Sequence, residues 1–408
     1  MHPWPSSRNF WSLSSTQHVG SFGDTKMIQA GVIGVGQTKY DAKRRDVSMA
    51  GLVREAIDNA MLAANLEWDA IDAVILGKAP DMFEGVIMPE LYLADAIGAV
   101  GKPVLRVHTA GSVGGSTAVI AASHVCSGQF KTVLTVTFEK QSESNATWAL
   151  SPRYPYSPHI NAGAGGYFAP FIREYIRRYE APEHIGWKVA AKDRQNALKN
   201  PLAHLHIPGI DEKMVSDTPM LWEPLRYLES CPSSDGACAM VITAQDQVGS
   251  RNVAWIKGMA VRSEGTLSAG RDEVNPQAGI DCAKDIYNQA GISNPFNEID
   301  CAEIYVPFSW YEPMWLENLG FCDLGEGWKL TDKDATKIDG EMPFNMSGGV
   351  LSSNPIGASG MIRFGEAALQ VMGLAEDHQV EDAKVAMGHA YGGAAQFFAM
   401  WIVSSTLD

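Results

Sequence analysis

The chain has 408 residues, of which 46% are hydrophobic, a composition typical of globular proteins with a buried core. Its formal net charge of −15 disfavours nonspecific binding to the phosphate backbone of nucleic acids. No apolar run approaches the roughly 18–20 residues that a membrane-spanning helix needs, so a bilayer span is not expected.

The first 26 residues differ from the rest of the chain. They are rich in serine, carry Trp4 and Trp11, and have no clear hydrophobic period. They also lack the basic start and apolar core of a secretory signal. We interpret residues 1–26 as a leader or tag, with a native flexible arm as the alternative. The fold is expected to begin at Met27 with an apolar strand that ends at Gly36.

Residues 48–138 predict alternating helices and strands. Ser48 is a candidate N-cap for a helix whose apolar residues recur at the i, i+3/i+4 spacing through Met61. Apolar strands are predicted at 71–76, 104–107 and 132–138, and a helix of small residues at 113–125. This alternation is typical of a parallel or mixed sheet covered by helices on both faces.

Residues of about 142–230 interrupt the alternation, because they are dense in proline, tyrosine, histidine and charge. We predict that they form an inserted cap with at least one helix, roughly over 168–179. An apolar strand at 236–243 marks the return to the regular pattern.

The alternation restarts near Val253. Strands are predicted at 255–261, 299–306, 383–387 and 397–404, and helices at 276–290 and 360–372. The aromatic run at 307–311 looks exposed and could line an apolar pocket, with ordinary core or a partner surface as alternatives. Both parts of the chain thus read as similar α/β halves, at 27–250 including the cap and at 251–408.

Three glycine loops stand out, each with a tight turn at a strand end or a helix start, and they lie at 108–118, 347–360 and 388–393. A further loop, Gly34-Val35-Gly36, lacks the third glycine and the downstream acidic residue of a dinucleotide fingerprint, so NAD is rejected.

Together the three loops resemble the active-site loops of the thiolase superfamily, most closely its sterol-carrier or lipid-transfer branch. The resemblance covers about residues 27–408. It implies an α/β thiolase fold, a five-layer αβαβα sandwich of two similar halves with the glycine-loop helices buried in the middle. It also implies a cytoplasmic homodimer.

The positions that match the thiolase catalytic groups carry other residues. The nucleophilic cysteine is replaced by Gly111 and the second cysteine by Tyr391. The two histidines of the sterol-carrier pattern are replaced by Tyr305 and Asn354. Glycine forms no covalent intermediate, and the adjacent Ser112 without a paired base is a poor nucleophile. Acyl transfer is therefore not expected.

Two phenols at a thioester site suggest proton transfer instead. A phenol with a pKa near its ordinary value of about 10 donates a hydrogen bond to an alkoxide and can protonate an enolate, and it accepts a proton if its pKa is lowered. These are the steps of a retro-aldol cleavage. We expect Tyr305 and Tyr391 to share this acid–base work, with their order unassigned.

Other residues are predicted to support the phenols. Asn354, His389 and N–H groups of the loops around Gly111, Ser112, Gly392 and Gly393 would stabilise the oxyanion. His108, Phe308 and Trp310 are candidates for substrate binding, and no metal site is expected.

The segments at 77–85, 138–145 and 389–393 strengthen a likeness to the bacterial aldolases that cleave steroid side chains. That likeness implies a substrate such as a 17-hydroxy steroid with a three-carbon acyl-CoA side chain, and a ketosteroid and propanoyl-CoA as products. Coenzyme A would be part of the substrate, and no cofactor is implied. The implied partner is an OB-fold and zinc-ribbon domain of an enoyl-CoA hydratase.

Alternatives remain open at this point. Tyr305 and Tyr391 could be ordinary core tyrosines in a non-catalytic lipid or acyl-CoA carrier. The chain could also be an ordinary thiolase that recruits Cys301 or Cys126. The six cysteines form no CxxC pair and are interpreted as buried thiols of a cytoplasmic protein, although Cys231 and Cys238 could be reactive.

Overall fold

The computed structural model describes residues 28–79, 81–144, 163–265 and 270–407, so the predicted leader over 1–26 lies outside the described residues. The strands within those ranges are β1 Ala30–Gln37, β2 Ala73–Gly77, β3 Val104–Val107, β4 Thr132–Lys140, β5 Met220–Trp222, β6 Leu225–Arg226, β7 Asp235–Ala244, β8 Ala254–Ser263, β9 Cys301–Glu303, β10 Val385–Gly392 and β11 Phe397–Ser404. The helices are α1 Met49–Ala64, α2 Glu90–Leu93, α3 Val113–Cys126, α4 Gly163–Tyr179, α5 His184–Ala197, α6 Glu212–Ser216, α7 Gln277–Ala290, α8 Pro295–Glu298, α9 Tyr311–Asn318, α10 Gly327–Asp332, α11 Gly349–Ser352 and α12 Ile356–Met372.

Nine of these strands hydrogen-bond in the order β3-β2-β4-β7-β1-β8-β11-β10-β9. The five strands before β8 come from the first half of the chain and the other four from the second. Read towards the centre of the sheet, β2-β4-β7-β1 of the first half and β9-β10-β11-β8 of the second half occupy equivalent positions, and β3 lies outside β2 at the edge. The halves meet where β1 and β8 pair antiparallel through Gly31 with Trp255 and Val32 with Ala254. The prediction of two similar α/β halves is therefore confirmed.

The central helices α3 and α12 lie against each other between the two halves. A side chain at Gly114 would place its Cβ 2.3 Å from the backbone nitrogen of Met361, and one at Gly360 would lie 2.8 Å from that of Gly115. The helix backbones therefore approach closely only because these positions carry glycine. The small-residue composition at 113–125 reflects this contact.

Helices α1 and α7 cover the outer faces and complete a five-layer arrangement. The hydroxyl of Ser48 accepts a hydrogen bond from the Gly51 N–H at 3.1 Å, as its predicted N-cap role requires. The apolar stripe through Met61 is buried against the sheet. None of the helices in the described residues is long and apolar enough to cross a membrane.

Two predictions for the second half were wrong in their detail. The strand predicted at 299–306 is only Cys301–Glu303, because the N–H of Ile304 donates to the Asn345 side chain at 2.8 Å instead of to a neighbouring strand. The aromatic run at 307–311 is buried, and its last residue begins α9. The run therefore belongs to the interior of the protein.

The cap contains more structure than its sequence predicted. The predicted helix at 168–179 is the longer α4, and it is followed by α5, α6 and the short β5–β6 hairpin. Residues 145–162 of the predicted cap lie outside the described residues. Helix α4 brings Phe168 to the second half of the molecule, where its ring lies 6.2 Å from that of Tyr391.

Candidate active site

Two buried tyrosines meet where β9 and β10 end. These strands are parallel neighbours, with Glu303 beside Gly388, so the residues that follow β9 lie next to the end of β10. Tyr305 follows β9 and is 5% exposed, whereas Tyr391 lies in β10 and is 2% exposed. Their ring centroids are 5.3 Å apart and the rings meet edge to face at 88°. The two rings therefore lie against each other in the interior of the protein.

The hydroxyl of Tyr305 has a protein partner. It donates to Oδ1 of Asn354 at 3.3 Å, and the hydroxyl of Ser359 donates to the same oxygen at 2.8 Å. The Asn354 Nδ2 group donates to the sulfur of Cys231 at 3.1 Å. The amide of Asn354 is thus held at both ends and fixes the Tyr305 hydroxyl.

The hydroxyl of Tyr391 makes no hydrogen bond of ordinary geometry to the described residues. Its ring lies among other aromatic rings, with centroids 5.1 Å from Trp315, 5.6 Å from Tyr311 and 6.1 Å from Phe398. Only the hydroxyl of Tyr311 lies within hydrogen-bonding reach of it among the described residues. A bound substrate oxygen would complete the hydrogen bonding of this pair.

His389 lies two residues before Tyr391 on the same face of β10. Its Nδ1 accepts a hydrogen bond from the Tyr305 N–H at 3.2 Å, so the proton of the neutral ring is on Nε2. That Nε2 is buried and has no partner among the described residues. Burial lowers the pKa of His389 to about 3, so the ring is uncharged at neutral pH. His389 can orient Tyr305 and donate one hydrogen bond, but it supplies no positive charge to an oxyanion.

Both phenols are proton donors in this state of the site. Burial raises the pKa of Tyr305, and the nearby Cys231 adds to the effect. The pKa of Tyr391 is raised well above its ordinary value by burial first, with contributions from Tyr311 and Tyr305. A phenol with a lowered pKa, which would act as a simple base, is therefore not what the folded chain provides.

Two of the predicted glycine positions contact each other directly. A Cβ at Gly392 would lie 2.4 Å from the backbone nitrogens of both Gly111 and Ser112. A Cβ at Gly111 would lie 3.3 Å from the carbonyl oxygen of Tyr391. Gly393 follows with φ of +63° and turns the chain towards β11. The loop before α3 and the end of β10 thus form one wall of the site.

Two other predicted residues of the first loop have local partners. The hydroxyl of Ser112 donates to the Thr109 carbonyl at 2.7 Å, so it is engaged within its own turn. His108 is half-buried, and burial lowers its pKa, with the nearby Arg106 as the next cause. Ser112 is therefore not prepared as a nucleophile.

The predicted substrate-binding aromatics separate in space. The ring of Phe308 lies 5.8 Å from that of Phe168, which in turn contacts the ring of Tyr391. Phe308 therefore belongs to an aromatic wall that it forms with Phe168 and Phe398. Trp310 packs instead on Tyr175, with centroids 6.3 Å apart, and covers Gly186 of α5. Trp310 therefore joins the cap to the core.

Sequence reasoning only partly anticipated the residues that the fold brings to the phenols. Tyr311 and Trp315 were considered as possible pocket-lining residues, but α9, which carries them, was not predicted, and Phe168 of the cap was given no role. Cys231 was considered reactive only as an isolated thiol. Its contact with Asn354 joins segments that are 123 residues apart in the chain, and no local pattern marks such a pair.

The cysteines proposed for the alternative thiolase reading do not lie at the phenols. Cys126 ends the 14-residue helix α3, about 20 Å from the loop at Gly111. Cys301 is buried at the start of β9. Among the residues that the structure describes, no group of three or more histidine, cysteine, aspartate or glutamate side chains could hold a metal ion.

Comparisons with known proteins agree with this architecture. The family model described as thiolase C-terminal domain-like matches residues 260–405. An acetyl-CoA acetyltransferase of Methanothermobacter thermautotrophicus is 28% identical over 390 residues, which cover 93% of this chain and 100% of that protein. Human sterol carrier protein 2 is 27% identical over 386 residues, which cover 88% of this chain and 69% of the human protein.

Among solved structures, the Ltp2-ChsH2(DUF35) aldolase superposes with a TM-score of 0.80 at 25% identity, covering 92% of this chain and 97% of that one. Human mitochondrial 3-ketoacyl-CoA thiolase superposes with a TM-score of 0.69 at 16% identity, covering 93% and 99%, and shows a shared fold. The chain is therefore similar to proteins of the thiolase superfamily, among them sterol carrier protein 2 and the Ltp2-ChsH2(DUF35) aldolase.

Proposed function

We propose that the protein is an aldolase that cleaves a β-hydroxyacyl-CoA by a retro-aldol reaction without a cysteine nucleophile. The observation that carries the proposal is the pair of buried phenols, which lie edge to face beside the loop where Gly111 stands in the place of a nucleophile. The likeness to the Ltp2-ChsH2(DUF35) aldolase supports the same reaction class.

The raised pKa values of the phenols favour a concerted transfer of protons. Tyr391, as a neutral phenol, receives the proton of the β-hydroxyl on its oxygen while it passes its own proton to the enolate carbon, directly or through Tyr305, so no free phenolate has to form. Tyr391 suits this step because only the Tyr311 hydroxyl lies within hydrogen-bonding reach of its own hydroxyl in the described residues. The electrons of the substrate O–H bond form the new C=O bond as the Cα–Cβ bond breaks. The electron pair of the broken bond forms the enolate, and Tyr391 or the adjacent Tyr305 delivers a proton to its carbon.

The thioester oxygen becomes negatively charged as the enolate forms. N–H groups of the loops at Gly111 and Gly393 would hold it, and the Nε2–H of His389 is a further donor without a partner. Asn354 would act through Tyr305, whose hydroxyl it fixes. Coenzyme A enters as part of the substrate, and the proposed chemistry needs no cofactor.

The proposed substrate is a steroid-derived tertiary β-hydroxyacyl-CoA, such as a 17-hydroxy steroid with a three-carbon side chain. The aromatic wall formed by Phe168, Phe308 and Phe398 is an apolar surface suited to such a ring system. Cleavage would release a ketosteroid and propanoyl-CoA. The presence of six free cysteines fits the cytoplasmic location that we propose.

The test is product analysis with this CoA ester, before and after treatment with iodoacetamide. We expect a ketosteroid and propanoyl-CoA in equal amounts, without added free CoA and with activity retained after alkylation. If the protein instead transfers an acyl group, requires free CoA and loses activity on alkylation, it is a thiolase, as the names of the acetyltransferase relatives suggest. Binding without turnover would establish a carrier.

We also propose that the protein is a homodimer joined at the β3 edge. Strand β3 is the outer strand of the first half, and a strand edge of this kind can pair with a second copy. Large apolar side chains are exposed nearby, at Ile87, Leu91, Tyr92 and Leu105. Light scattering of the purified protein should give twice the chain mass, and L105K should reduce it to the monomer.

A second proposed partner is an OB-fold and zinc-ribbon domain of an enoyl-CoA hydratase. The proposal rests on the earlier sequence resemblance and on the second component in the name of the Ltp2-ChsH2(DUF35) aldolase. Co-expression of the two chains followed by size-exclusion chromatography tests it. Separate elution of the chains, with no gain in cleavage rate on mixing, would contradict it.

A further inference from the structure

Tyr311 is a third tyrosine in the aromatic cluster, the group of rings that surrounds Tyr391. It is the first residue of α9 and is fully buried. Its ring stacks on that of Tyr391, with centroids 5.6 Å apart and an interplanar angle of 25°. It also contacts Phe168 at 5.6 Å and Trp315 at 5.1 Å. Tyr311 thus lies directly beside the phenol of Tyr391.

The hydroxyl of Tyr311 is also without a hydrogen bond of ordinary geometry in the described part of the chain. The hydroxyls of Tyr311 and Tyr391 lie close enough for each to influence the ionisation of the other. The two hydroxyls lie within hydrogen-bonding reach of each other, and neither has a second partner in the described residues. The pair therefore keeps lone pairs and one O–H group that are available to a ligand oxygen.

The surroundings of Tyr391 indicate which substrate oxygen would meet this pair. Its backbone carbonyl faces Gly111, on the side where the loop N–H groups would hold the thioester oxygen. Its ring extends into the aromatic cluster, on the side suited to the apolar part of the substrate. The oxygen on that side is the one attached to the β-carbon.

We propose that Tyr311 is a catalytic residue whose hydroxyl, together with that of Tyr391, binds the β-oxygen of the substrate. This inference rests on the proposed retro-aldol function. Tyr391 receives the hydroxyl proton as the C=O bond forms and passes its own proton to the α-carbon, which takes the electron pair of the broken Cα–Cβ bond. Tyr311 keeps its own proton throughout and donates a hydrogen bond to the oxygen as negative charge grows on it.

The decisive variant is Tyr311→Phe, which keeps the ring and removes only the hydroxyl. We expect kcat for cleavage to fall about 100-fold, the loss typical of one oxyanion donor. The melting temperature should change little, because the removed hydroxyl has only the Tyr391 hydroxyl as a hydrogen-bonding neighbour in the described residues. Inhibition by the ketosteroid product should weaken about tenfold, whereas inhibition by propanoyl-CoA should not change.

Tyr287→Phe is the matched control, because Tyr287 is buried on α7 and its hydroxyl donates to the Leu319 carbonyl at 2.8 Å. This variant should lose stability and keep wild-type kcat. Wild-type kcat in Tyr311→Phe would overturn the assignment, as would a loss of activity accompanied by a lower melting temperature. If the wild-type protein cleaves no β-hydroxyacyl-CoA, the proposed function itself fails and the role of Tyr311 falls with it.

Discussion

Two buried polar regions lie side by side at the end of β9, and they differ in how many of their polar atoms have hydrogen-bond partners. Glu303, at the end of β9, has partners on both carboxylate oxygens, from the N–H and hydroxyl of Ser347 and from the Arg363 guanidinium. Two residues later the chain reaches the phenol site, where the hydroxyls of Tyr311 and Tyr391 have only each other within reach and the Nε2 of His389 has no partner in the described residues. Both carboxylate oxygens of Glu303 are thus satisfied by the fold, whereas the phenol site keeps polar atoms that the proposed substrate would engage.

This difference separates stability from activity. Removing a partner from the Glu303 cluster leaves a charge buried without compensation, which destabilises the fold. Removing the hydroxyl of Tyr311 or Tyr391 takes away a group that has only the other within hydrogen-bonding reach in the described residues. Substitutions in the two regions should therefore affect different measurements.

The largest effect is expected for Tyr391→Phe. Loss of the proton-transferring hydroxyl should lower kcat by about 10²–10⁴-fold, the contribution of a general acid or base. The melting temperature should not fall. Steady-state kinetics and calorimetry on the same preparation check both, and a marked loss of stability with intact activity would reverse the comparison.

Glu303→Ala should have the largest effect on stability. It leaves the buried Arg363 guanidinium without its carboxylate, at a cost of about 3–5 kcal/mol. Urea denaturation measures the change in the free energy of unfolding. The exposed Asp246→Ala, which removes a surface ion pair with Lys131, is the control and should cost less than about 1 kcal/mol.

The low pKa of His389 predicts that the folded protein loses stability in acid. Its folded pKa of about 3 lies below the unfolded value of about 6.5, so the unfolded chain binds more protons between these values. The contribution is fully present above pH 6.5 and is lost as the pH falls, by about 2 kcal/mol at pH 5. His389→Asn should flatten this part of the stability profile. An unchanged slope would indicate that His389 is protonated in the folded protein.

The smallest effect is expected for Cys231. Burial raises the pKa of its thiol to about 11, so the reactive thiolate is scarce at neutral pH. Cys231→Ala should change kcat by less than about fivefold, because Asn354 keeps its contacts with Tyr305 and Ser359. Trapping of an acyl group on Cys231 by mass spectrometry would instead identify a thiolase.

Local patterns predicted most of the fold because the relevant forces act within each element. The N-cap of Ser48, the apolar stripe of α1 and the small residues of α3 each reflect a short-range rule. Strand β9 was predicted too long because Ile304 and Tyr305 bond to the side chains of Asn345 and His389, which are distant in the sequence. Apolar character alone does not distinguish these partners from a neighbouring strand.

The site could be predicted in part for the same reason. Asn354 and Tyr391 were proposed because glycine loops mark their positions, and Tyr305 because its loop resembles the one that carries a histidine in sterol-carrier thiolases. Tyr311 was considered only as a pocket-lining residue, since its contact with Tyr391 depends on the stacking of α9 on β10. The ionisation of the phenols also could not be predicted, because it depends on burial produced by the whole aromatic cluster.

The contact between Gly111 and the end of β10 bears on how such a site could change over evolutionary time. A cysteine introduced at 111 would meet the Tyr391 carbonyl at 3.3 Å and would find no imidazole, because Asn354 occupies the position of the activating histidine. A single reversion therefore gives a crowded thiol without a base. Acyl transfer through a cysteine at this site would require several replacements made together, at the loop before α3, at Asn354 and at the end of β10.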